Sequence, residues 1–204
     1  MEKEKIRIAA FVSGGGTNLQ AILDAQKKGE IKDGEVVLVI SNSRKAYALE
    51  RAKNAGIKSE TVIKKEEGSQ EAFEKKIEGI LDENRIDLIV LAGFMNILTE
   101  AFTSKYPKRI LNIHPALLPS FGGKGYYGLH VHEAALAYGV KVSGATVHYV
   151  NEVPDGGEII LQKAVEVKEG DTPEILQQRI MKEAEWVIYP AAVQKVCEKM
   201  REEK

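Results

Sequence analysis

The chain has 204 residues, of which 44% are apolar and 29% charged, proportions typical of a globular protein with a core of its own. A formal net charge of −1 argues against a binding surface for nucleic acid or acidic membrane, and a single cysteine rules out an intramolecular disulfide and a cysteine-rich metal site. Because no apolar run reaches the length of a membrane span and the first residues lack a signal-peptide pattern, we expect a cytoplasmic protein.

The chain opens with a predicted strand, a glycine turn and a helix. Residues Ile6 to Val12 form a nearly continuous apolar run, which is typical of a strand buried on both faces of a sheet. Three glycines follow, and a helical pattern of apolar residues begins after Thr17 and Asn18. Such a turn directs backbone N–H groups and the positive end of a helix toward an anion, so we predict a phosphate site at Gly15, Gly16, Thr17 and Asn18. We also expect Thr17 or Asn18 to cap the helix.

Several details limit the kind of phosphate that this turn accepts. The third glycine of a dinucleotide fingerprint is missing, because Leu19 stands in its place. Residues 41–43, which follow a second strand predicted at 36–40, offer no acid for a ribose, and the chain has no Gly-Lys-Ser/Thr motif. A single phosphate on a small substrate therefore fits better than NAD or ATP. A plain strand-to-helix turn without a ligand is the alternative.

Strands and helices continue to alternate in the following segment. We predict, in order, a helix at 46–54, a strand at 57–63, a helix at 71–82, a strand at 88–91 and a helix at 99–106. Between the last two lies Phe94-Met95-Asn96-Ile97-Leu98, with four apolar side chains just beyond a strand end. This segment could form one wall of a pocket for a flat aromatic ligand, and an apolar lid on the core is an equally simple interpretation.

The second half of the chain is organised around residues 110–119. We predict a buried strand that begins at Ile110 and is stopped by Pro115. Asn112 and His114 are two residues apart, so they share one side of the strand at its carboxyl end, where ligands of open α/β sheets bind. An amide donor and a ring that titrates near neutral pH could together hold an oxyanion and move a proton. The alternative is a hydrogen-bonded core histidine beside a turn residue.

A glycine-rich stretch at 120–128 follows and is typical of a mobile surface loop. The next helix, predicted at 130–138, contains His130 and His132. These two histidines do not share a helix face, and we identify no carboxylate or cysteine partners that would complete a metal site with them. We therefore expect no zinc site here.

The remaining elements complete the sheet. Two strands are predicted at 142–150 and 159–167, and the pattern of the first is that of an antiparallel strand. A final helix is expected to begin at a cap formed by Asp171 or Thr172 and to be kinked or interrupted at Pro190. We therefore predict an α/β fold with a doubly wound, mostly parallel seven-stranded sheet that has one antiparallel strand.

Four motifs occur in order along this framework: Ser-Gly-Gly-Gly-Thr-Asn, Leu-Ala-Gly-Phe-Met, Asn-Ile-His-Pro-Ala-Leu-Leu-Pro and Pro-Asp-Gly-Gly. With them, the chain from Ile6 to about Pro190 resembles the folate-dependent phosphoribosylglycinamide formyltransferase family of purine biosynthesis. The resemblance implies one formyltransferase domain over 1–204, with a Rossmann-like, phosphate-binding half at about 1–108 and a folate-binding, catalytic half at about 109–204. It also implies formyl transfer from 10-formyltetrahydrofolate to the amine of 5-phosphoribosylglycinamide. The resemblance implies no metal and no nucleic-acid or membrane partner, and it leaves open whether the chain forms a homodimer.

The resemblance also assigns roles to particular residues. The catalytic residues that it implies are Asn112, His114 and Asp155. The substrate-binding residues that it implies are Gly15, Gly16, Thr17, Asn18 and, for the ribose hydroxyls, Glu185. The folate-binding residues that it implies are Gln70, Met95, Asn96, Ile97, Leu98, Asn151 and Asp155.

The chain departs from the family pattern in several places. Asn96 and Gln70 stand where the family often has basic residues, which affects the expected contacts with the folate tail. The glycine-rich loop at 120–128 is longer than usual. A one-residue insertion makes Glu183 a rival of Glu185 for the ribose.

The implied mechanism is direct attack of the substrate amine on the formyl carbon through a tetrahedral oxyanion. Asn112 and a protonated His114 would stabilise the oxyanion, and Asp155 would favour the imidazolium and help to move the proton. A tRNA formyltransferase would need a second, basic domain, and a formyltetrahydrofolate hydrolase would need a regulatory domain before Ile6. A Rossmann-like nucleotide-binding module without turnover is the alternative from another class, and it would bind phosphate or NAD without folate.

Overall fold

The computed structural model describes residues 4–203 and contains, within that range, seven strands and eight α-helices. The strands are β1 Ile6–Val12, β2 Gly34–Ser41, β3 Lys58–Thr61, β4 Leu88–Leu91, β5 Ile110–His114, β6 Val142–Tyr149 and β7 Ile159–Glu166. The helices are α1 Thr17–Lys27, α2 Ala48–Asn54, α3 Lys64–Glu67, α4 Gln70–Glu83, α5 Glu100–Thr103, α6 Leu129–Tyr138, α7 Pro173–Ile180 and α8 Trp186–Glu202. A π-helical turn, Met181–Glu185, connects α7 to α8.

The strands form one sheet in the order β3-β2-β1-β4-β5-β6-β7. Neighbouring strands from β3 to β5 are parallel, whereas β6 is antiparallel to both β5 and β7. β6 is therefore the single antiparallel strand, which confirms the predicted sheet. The strand order reverses between β1 and β4, and in open α/β sheets the crevice beyond such a reversal is where ligands bind.

Strand β1 shows why both faces of the sheet are covered. Ile8, Ala10 and Val12 belong to a buried cluster on one face, whereas Ala9 and Phe11 belong to a second cluster on the other. Helices α1, α7 and α8 contribute side chains to the first cluster, and α4 and α5 contribute to the second. Helices on both faces of a mostly parallel sheet confirm the doubly wound α/β class.

The predicted bounds of β1 and β4 agree with the structure at both ends, because buried apolar runs have clear limits.

The predicted cap of α1 is wrong. Gly16, rather than Thr17 or Asn18, is the N-cap, and no side chain caps this helix. Gly16 has φ +69°, and a Cβ at this position would lie 2.6 Å from the Cβ of Ala48 in α2. The close approach of α2 therefore requires a glycine here.

The irregularity expected at Pro190 also lies elsewhere. Pro190 is buried inside α8, and the chain departs from α-helical geometry in the π-helical turn that ends just before Trp186. A proline clashes with the carbonyl four residues before it, which here is that of Trp186. A π-helical turn accommodates one extra residue, in agreement with the insertion expected near Glu183. Thr172 caps α7 as expected, since its hydroxyl accepts the N–H of Ile175.

No helix within residues 4–203 is long and apolar enough to cross a membrane. The same part of the chain has no group of three or more His, Cys, Asp or Glu side chains arranged to hold a metal ion.

Cys197 is buried in the first core cluster. Burial, with the charges of Asp33 and Asp87, raises the pKa of its thiol to about 12, so the thiol has little nucleophilic character.

Candidate active site

A cavity of about 630 Å³ lies beyond the carboxyl ends of β4 and β5. The predicted site residues that line it are Asn18, Met95, Asn96, Ile97, Asn112, His114, Asp155 and Glu185. The predicted site residues that do not line it are Gly15, Gly16, Thr17, Gln70, Leu98 and Asn151. The structure thus brings all three proposed catalytic side chains into one cavity with residues from both proposed ligand sites.

Asn112, His114 and Asp155 form a contact cluster within this cavity. Asn112 and His114 lie at the carboxyl end of β5. The polar turn between β6 and β7 brings Asp155 to them. His114 Nδ1 lies 3.5 Å from Asp155 Oδ2, and Asn112 Nδ2 lies 3.4 Å from Asp155 Oδ1. The ring and the amide therefore face the same carboxylate, one on each oxygen.

His148 is a fourth member of the cluster and was not identified from the sequence. It stands on β6 directly opposite Asn112. Its Nε2 lies 3.2 Å from Asn112 Nδ2 and 3.6 Å from Asp155 Oδ1, and its Nδ1 lies 2.8 Å from the Tyr149 carbonyl. Because a carbonyl only accepts, His148 Nδ1 carries a proton. The sequence feature that could have identified His148 is a histidine at an inward-facing position of a predicted buried strand.

The surroundings favour a neutral His114 beside an ionised Asp155. Burial lowers the pKa of His114 below 6.5, although the charge of Asp155 and the Phe121 carbonyl act in the opposite direction. For Asp155, burial acts to raise the pKa, but the hydrogen bond with His148, the charge of His114 and the Gly123 N–H together lower it below 3.8. The protonated His114 implied by the family resemblance is therefore not the favoured resting form near pH 7.

Backbone groups of the 120–128 loop reach both members of this pair. The Phe121 carbonyl lies 2.7 Å from His114 Nε2, and the Gly123 N–H donates to Asp155 Oδ2 at 2.8 Å. Residues 121–123 are half-buried, whereas residues 124–128 are exposed. The loop thus has a first part that contacts the catalytic pair and an exposed second part that lines the same cavity.

His132 on α6 lines the same cavity and is fully buried. Neither of its ring nitrogens has a hydrogen-bond partner among residues 4–203. Burial, with the charge of nearby His114, lowers its pKa from 6.5 to about 4, so the ring is neutral at pH 7. His130, in contrast, is exposed and contacts Glu133. The two histidines therefore point into different surroundings, as their spacing on the helix predicts.

Asn18 and Glu185 meet elsewhere in the cavity lining. Asn18 Nδ2 donates to Glu185 Oε2 at 2.7 Å, and Asn18 Oδ1 is buried without a partner within the described range. Burial raises the pKa of Glu185, which the bond from Asn18 partly offsets. Glu183 is exposed and does not line the cavity. The geometry therefore favours Glu185 over Glu183 as an acceptor for ligand hydroxyls.

The glycine turn lies beside this pair at the start of α1. Arg51 of α2 donates from Nε to the Gly15 carbonyl at 2.8 Å, and this cation next to the turn was not identified from the sequence. Thr17 and Arg51 line a second, larger cavity of about 720 Å³ between α1 and α8. That cavity contains none of the clustered catalytic side chains, so we assign the chemistry to the smaller one.

The segment after β4 presents apolar side chains to the cavity. Met95 and Ile97 are 59% and 72% exposed, whereas Leu98 is buried in the second core cluster. Asn96 Oδ1 accepts from Asn42 Nδ2 at 2.7 Å, which anchors the segment between the two exposed residues. Exposed apolar side chains held on an anchored backbone suit a planar ligand. Leu98 and Phe94, whose ring lies 5.3 Å from that of Phe11, cover the second core cluster as the apolar lid that the sequence also allowed.

Gln70 and Asn151 contact protein backbone rather than the cavity. Gln70 Nε2 lies 3.2 Å from the Ile97 carbonyl and 2.6 Å from Glu74 Oε1, so it supports the segment after β4. Asn151 Oδ1 accepts the Val153 N–H at 3.0 Å and shapes the turn that carries Asp155. Direct contact of Gln70 or Asn151 with folate stays a prediction.

A model of the formyl transferase family matches residues 6–193, which is most of the chain and includes every element of the sheet. The chain belongs to this family. Phosphoribosylglycinamide formyltransferase from Escherichia coli is 44% identical over 188 residues, which cover 92% of this chain and 85% of that protein. The crystal structure of glycinamide ribonucleotide transformylase 1 from Symbiobacterium toebii is similar with a TM-score of 0.89 and 45% identity, covering 96% of this chain and 89% of that one.

Other relatives are much longer proteins. The trifunctional purine biosynthetic protein adenosine-3 of Gallus gallus is 44% identical over 97% of this chain, yet the match spans only 19% of that protein. The corresponding human protein also matches over 19% of its length. This chain therefore spans about a fifth of these trifunctional relatives and corresponds to one part of them.

Proposed function

We propose that this chain transfers the formyl group of 10-formyltetrahydrofolate to the amine of 5-phosphoribosylglycinamide. The observation that carries the proposal is the meeting of Asn112, His114 and Asp155 in a cavity that also contains Asn18 and Glu185. Two relatives are 44% and 45% identical to this chain, which covers 85% and 89% of their length. Their names support the same reaction.

The cavity and the glycine turn beside it supply complementary groups for both substrates. The turn at Gly15–Asn18 would bind the substrate phosphate, because it ends at the N-terminus of α1. Asn18 Oδ1 and Glu185 are acceptors, which suits the donating hydroxyls of a ribose. Met95 and Ile97 would face the planar folate, with the Asn151–Asp155 turn opposite. The half up to about residue 108 thus supplies the phosphate site, and the following half supplies most of the catalytic groups.

The chemistry proceeds by direct transfer. The substrate amine attacks the formyl carbon, a C–N bond forms, and the carbonyl oxygen becomes an oxyanion that accepts a hydrogen bond from Asn112 Nδ2. The bond from N10 of folate to the same carbon then breaks. The proton lost by the amine passes to the His114–Asp155 pair and from there to N10, so tetrahydrofolate leaves neutral at that nitrogen. Holding two substrates side by side removes much of the entropic barrier.

The resting charges decide the direction of proton movement. His114 is favoured in its neutral form, so it takes up the proton of the amine rather than contributing one at the start. The imidazolium that forms faces the Asp155 carboxylate at 3.5 Å, which stabilises it while the oxyanion exists. Asn112 keeps a long 3.4 Å contact with Asp155 at rest, so this donor is easily redirected toward the oxyanion.

The test is the release of tetrahydrofolate from 10-formyltetrahydrofolate, measured by absorbance with and without 5-phosphoribosylglycinamide. We expect release only with the acceptor, at one formylated product per tetrahydrofolate. Release at the same rate without the acceptor would favour a hydrolase instead. Binding of NAD or phosphate without folate binding or turnover would favour a nucleotide-binding module.

A further inference from the structure

The segment Phe121–Gly123 touches both His114 and Asp155 through its backbone. We propose that this segment is a positioning element: the Phe121 carbonyl holds His114 in one tautomer, and the Gly123 N–H fixes the direction of the Asp155 carboxylate. The inference rests on the proposed function, because it assigns these contacts to the pair that moves the proton. Neither contact follows from the glycine-rich composition, which predicts only a mobile surface loop.

The contact with Phe121 determines where the proton of a neutral His114 resides. The carbonyl oxygen lies 2.7 Å from Nε2 and can only accept, so Nε2 carries the hydrogen. Nδ1 is then the nitrogen with a lone pair, and it lies 3.5 Å from Asp155 Oδ2. Either neutral tautomer places one ring lone pair against an oxygen, and the opposite tautomer would do so at 2.7 Å rather than at 3.5 Å. The proton of the amine is therefore received at Nδ1, beside the carboxylate that stabilises the imidazolium.

The contact with Gly123 assigns the second carboxylate oxygen. Its N–H donates to Asp155 Oδ2 at 2.8 Å, while Oδ1 of the same carboxylate faces His148 Nε2 at 3.6 Å and Asn112 Nδ2 at 3.4 Å. Both oxygens are thus held from opposite sides. A carboxylate that rotated freely would lose its alignment with His114, because the contact to Nδ1 already lies at 3.5 Å.

The geometry of the segment excludes a side chain at its centre. A Cβ on Gly122 would lie 2.4 Å from Leu118 Cδ2 and 3.5 Å from Asp155 Cβ. Gly123 has φ +86°, a conformation that strongly favours glycine. Glycines at these two positions therefore allow the backbone to approach the catalytic pair.

Strained backbone on both sides of the contact supports a functional arrangement. Phe121 has φ +51° and Asp155 has φ +55°, values that residues other than glycine seldom adopt. The Phe121 ring lies 6.1 Å from the rings of Tyr126 and of Tyr138 on α6, in edge-to-face arrangements that hold the residue in place. Such strain persists only where surrounding contacts enforce it.

The tautomer can be read directly from the ¹⁵N chemical shifts of the four histidine rings, with His114 assigned from the spectrum of His114→Asn. In the parent protein, we expect His114 to be protonated at Nε2 and not at Nδ1 at a pH above its pKa. A parent His114 protonated at Nδ1 would overturn the proposal, whatever the variants do. This measurement needs no substrate, so its failure is distinct from the failure of the proposed reaction.

The variant that tests the role is Gly122→Ala. Its added methyl group would push the segment away from Asp155 or Leu118, without a demand for a left-handed backbone. We expect mixed tautomers of His114 and a kcat reduced about tenfold or more, with the KM for formylfolate changed less than about twofold. The acid limb of the kcat–pH profile should also move, because the Phe121 carbonyl raises the pKa of His114.

Two further variants complete the test. Ser120→Ala is the matched control, since Ser120 is an exposed neighbour that does not line the cavity, and it should leave tautomer and kcat unchanged. Gly122→Ala combined with Leu118→Ala removes the clashing methyl groups and should restore the Nε2–H tautomer and most of kcat. A folded Gly122→Ala with the parent tautomer, kcat and pH profile would overturn the proposal. So would a variant that loses folate affinity and kcat equally.

Discussion

At the scale of single residues, Glu185 illustrates how burial prepares a side chain for a ligand. The residue is 7% exposed, and its carboxyl group receives one hydrogen bond, from Asn18 Nδ2. Burial raises its pKa, which means that ionisation of Glu185 in the ligand-free site carries a cost. A ligand with hydroxyl donors would satisfy both this carboxylate and the unpartnered Asn18 Oδ1. Affinity for the ribose should therefore depend on Glu185.

We predict that Glu185→Gln raises the KM for 5-phosphoribosylglycinamide about tenfold or more, because hydrogen bonds to charged groups contribute more than neutral ones. The KM for 10-formyltetrahydrofolate should change little. Steady-state kinetics with each substrate varied in turn provide the measurement. Glu183→Gln is the matched control, since Glu183 is exposed on the same turn and should leave both constants at parent values. An equal effect of the two substitutions would contradict the assignment.

At the scale of elements, the π-helical turn Met181–Glu185 would accommodate the one-residue insertion that the family resemblance implies. A π-helical turn adds one residue to a helix while the segments on either side keep their packing. Here α7 and α8 both contribute to the first core cluster, through residues such as Leu176 and Val193. An extra residue in the turn between them leaves this packing in place, and Glu185 lines the cavity.

We predict that deletion of Glu183 is tolerated, because it converts the π-helical turn to α-helix without rotating α7 or α8 relative to the core. Circular dichroism should show native helix content, and Tm should fall by no more than about 5 °C. Deletion of Lys195 within α8 is the control. This deletion rotates every later residue of α8 by roughly 100° about the helix axis, so it should greatly reduce stability. A Glu183 deletion as damaging as the control would refute this account of the turn.

At the scale of the whole molecule, the parts predictable from sequence are those set by local pattern. The strands at 6–12 and 88–91 and the single antiparallel strand follow from buried runs and alternation. His148 was not predictable as a site residue, because its place opposite Asn112 depends on pairing between two distant strands. The contacts of Phe121 and Gly123 depend likewise on tertiary approach. Composition identified that loop, but tertiary packing determines its position.

Buried His132 makes the stability of the whole fold depend on pH. Its folded pKa of about 4 lies below the ordinary 6.5, so the unfolded chain takes up a proton first as the pH falls. Stability should therefore decrease between about pH 6.5 and pH 4, and this residue should cause no further loss below that range. At roughly 1.4 kcal/mol per pKa unit, the loss from this residue is on the order of 3 kcal/mol.

We predict that His132→Gln flattens the dependence of the free energy of unfolding on pH in this range, as measured by urea denaturation at several pH values. The difference between parent and variant isolates this residue from His114 and the carboxylates, which titrate in both proteins. His130→Gln serves as the control and should keep the parent slope, because His130 is exposed. A parent slope in the His132 variant would contradict a buried neutral ring.

The most direct test of the central claim compares the parent with His114→Ala in formyl transfer and in folate binding. Removal of a group that acts on the transition state typically costs about 10²–10³ in rate. We expect kcat to fall by at least that factor, while the Kd for 10-formyltetrahydrofolate stays within about threefold of the parent value. Equal losses of kcat and affinity, or a variant that retains parent turnover, would contradict the role of His114 in moving the proton.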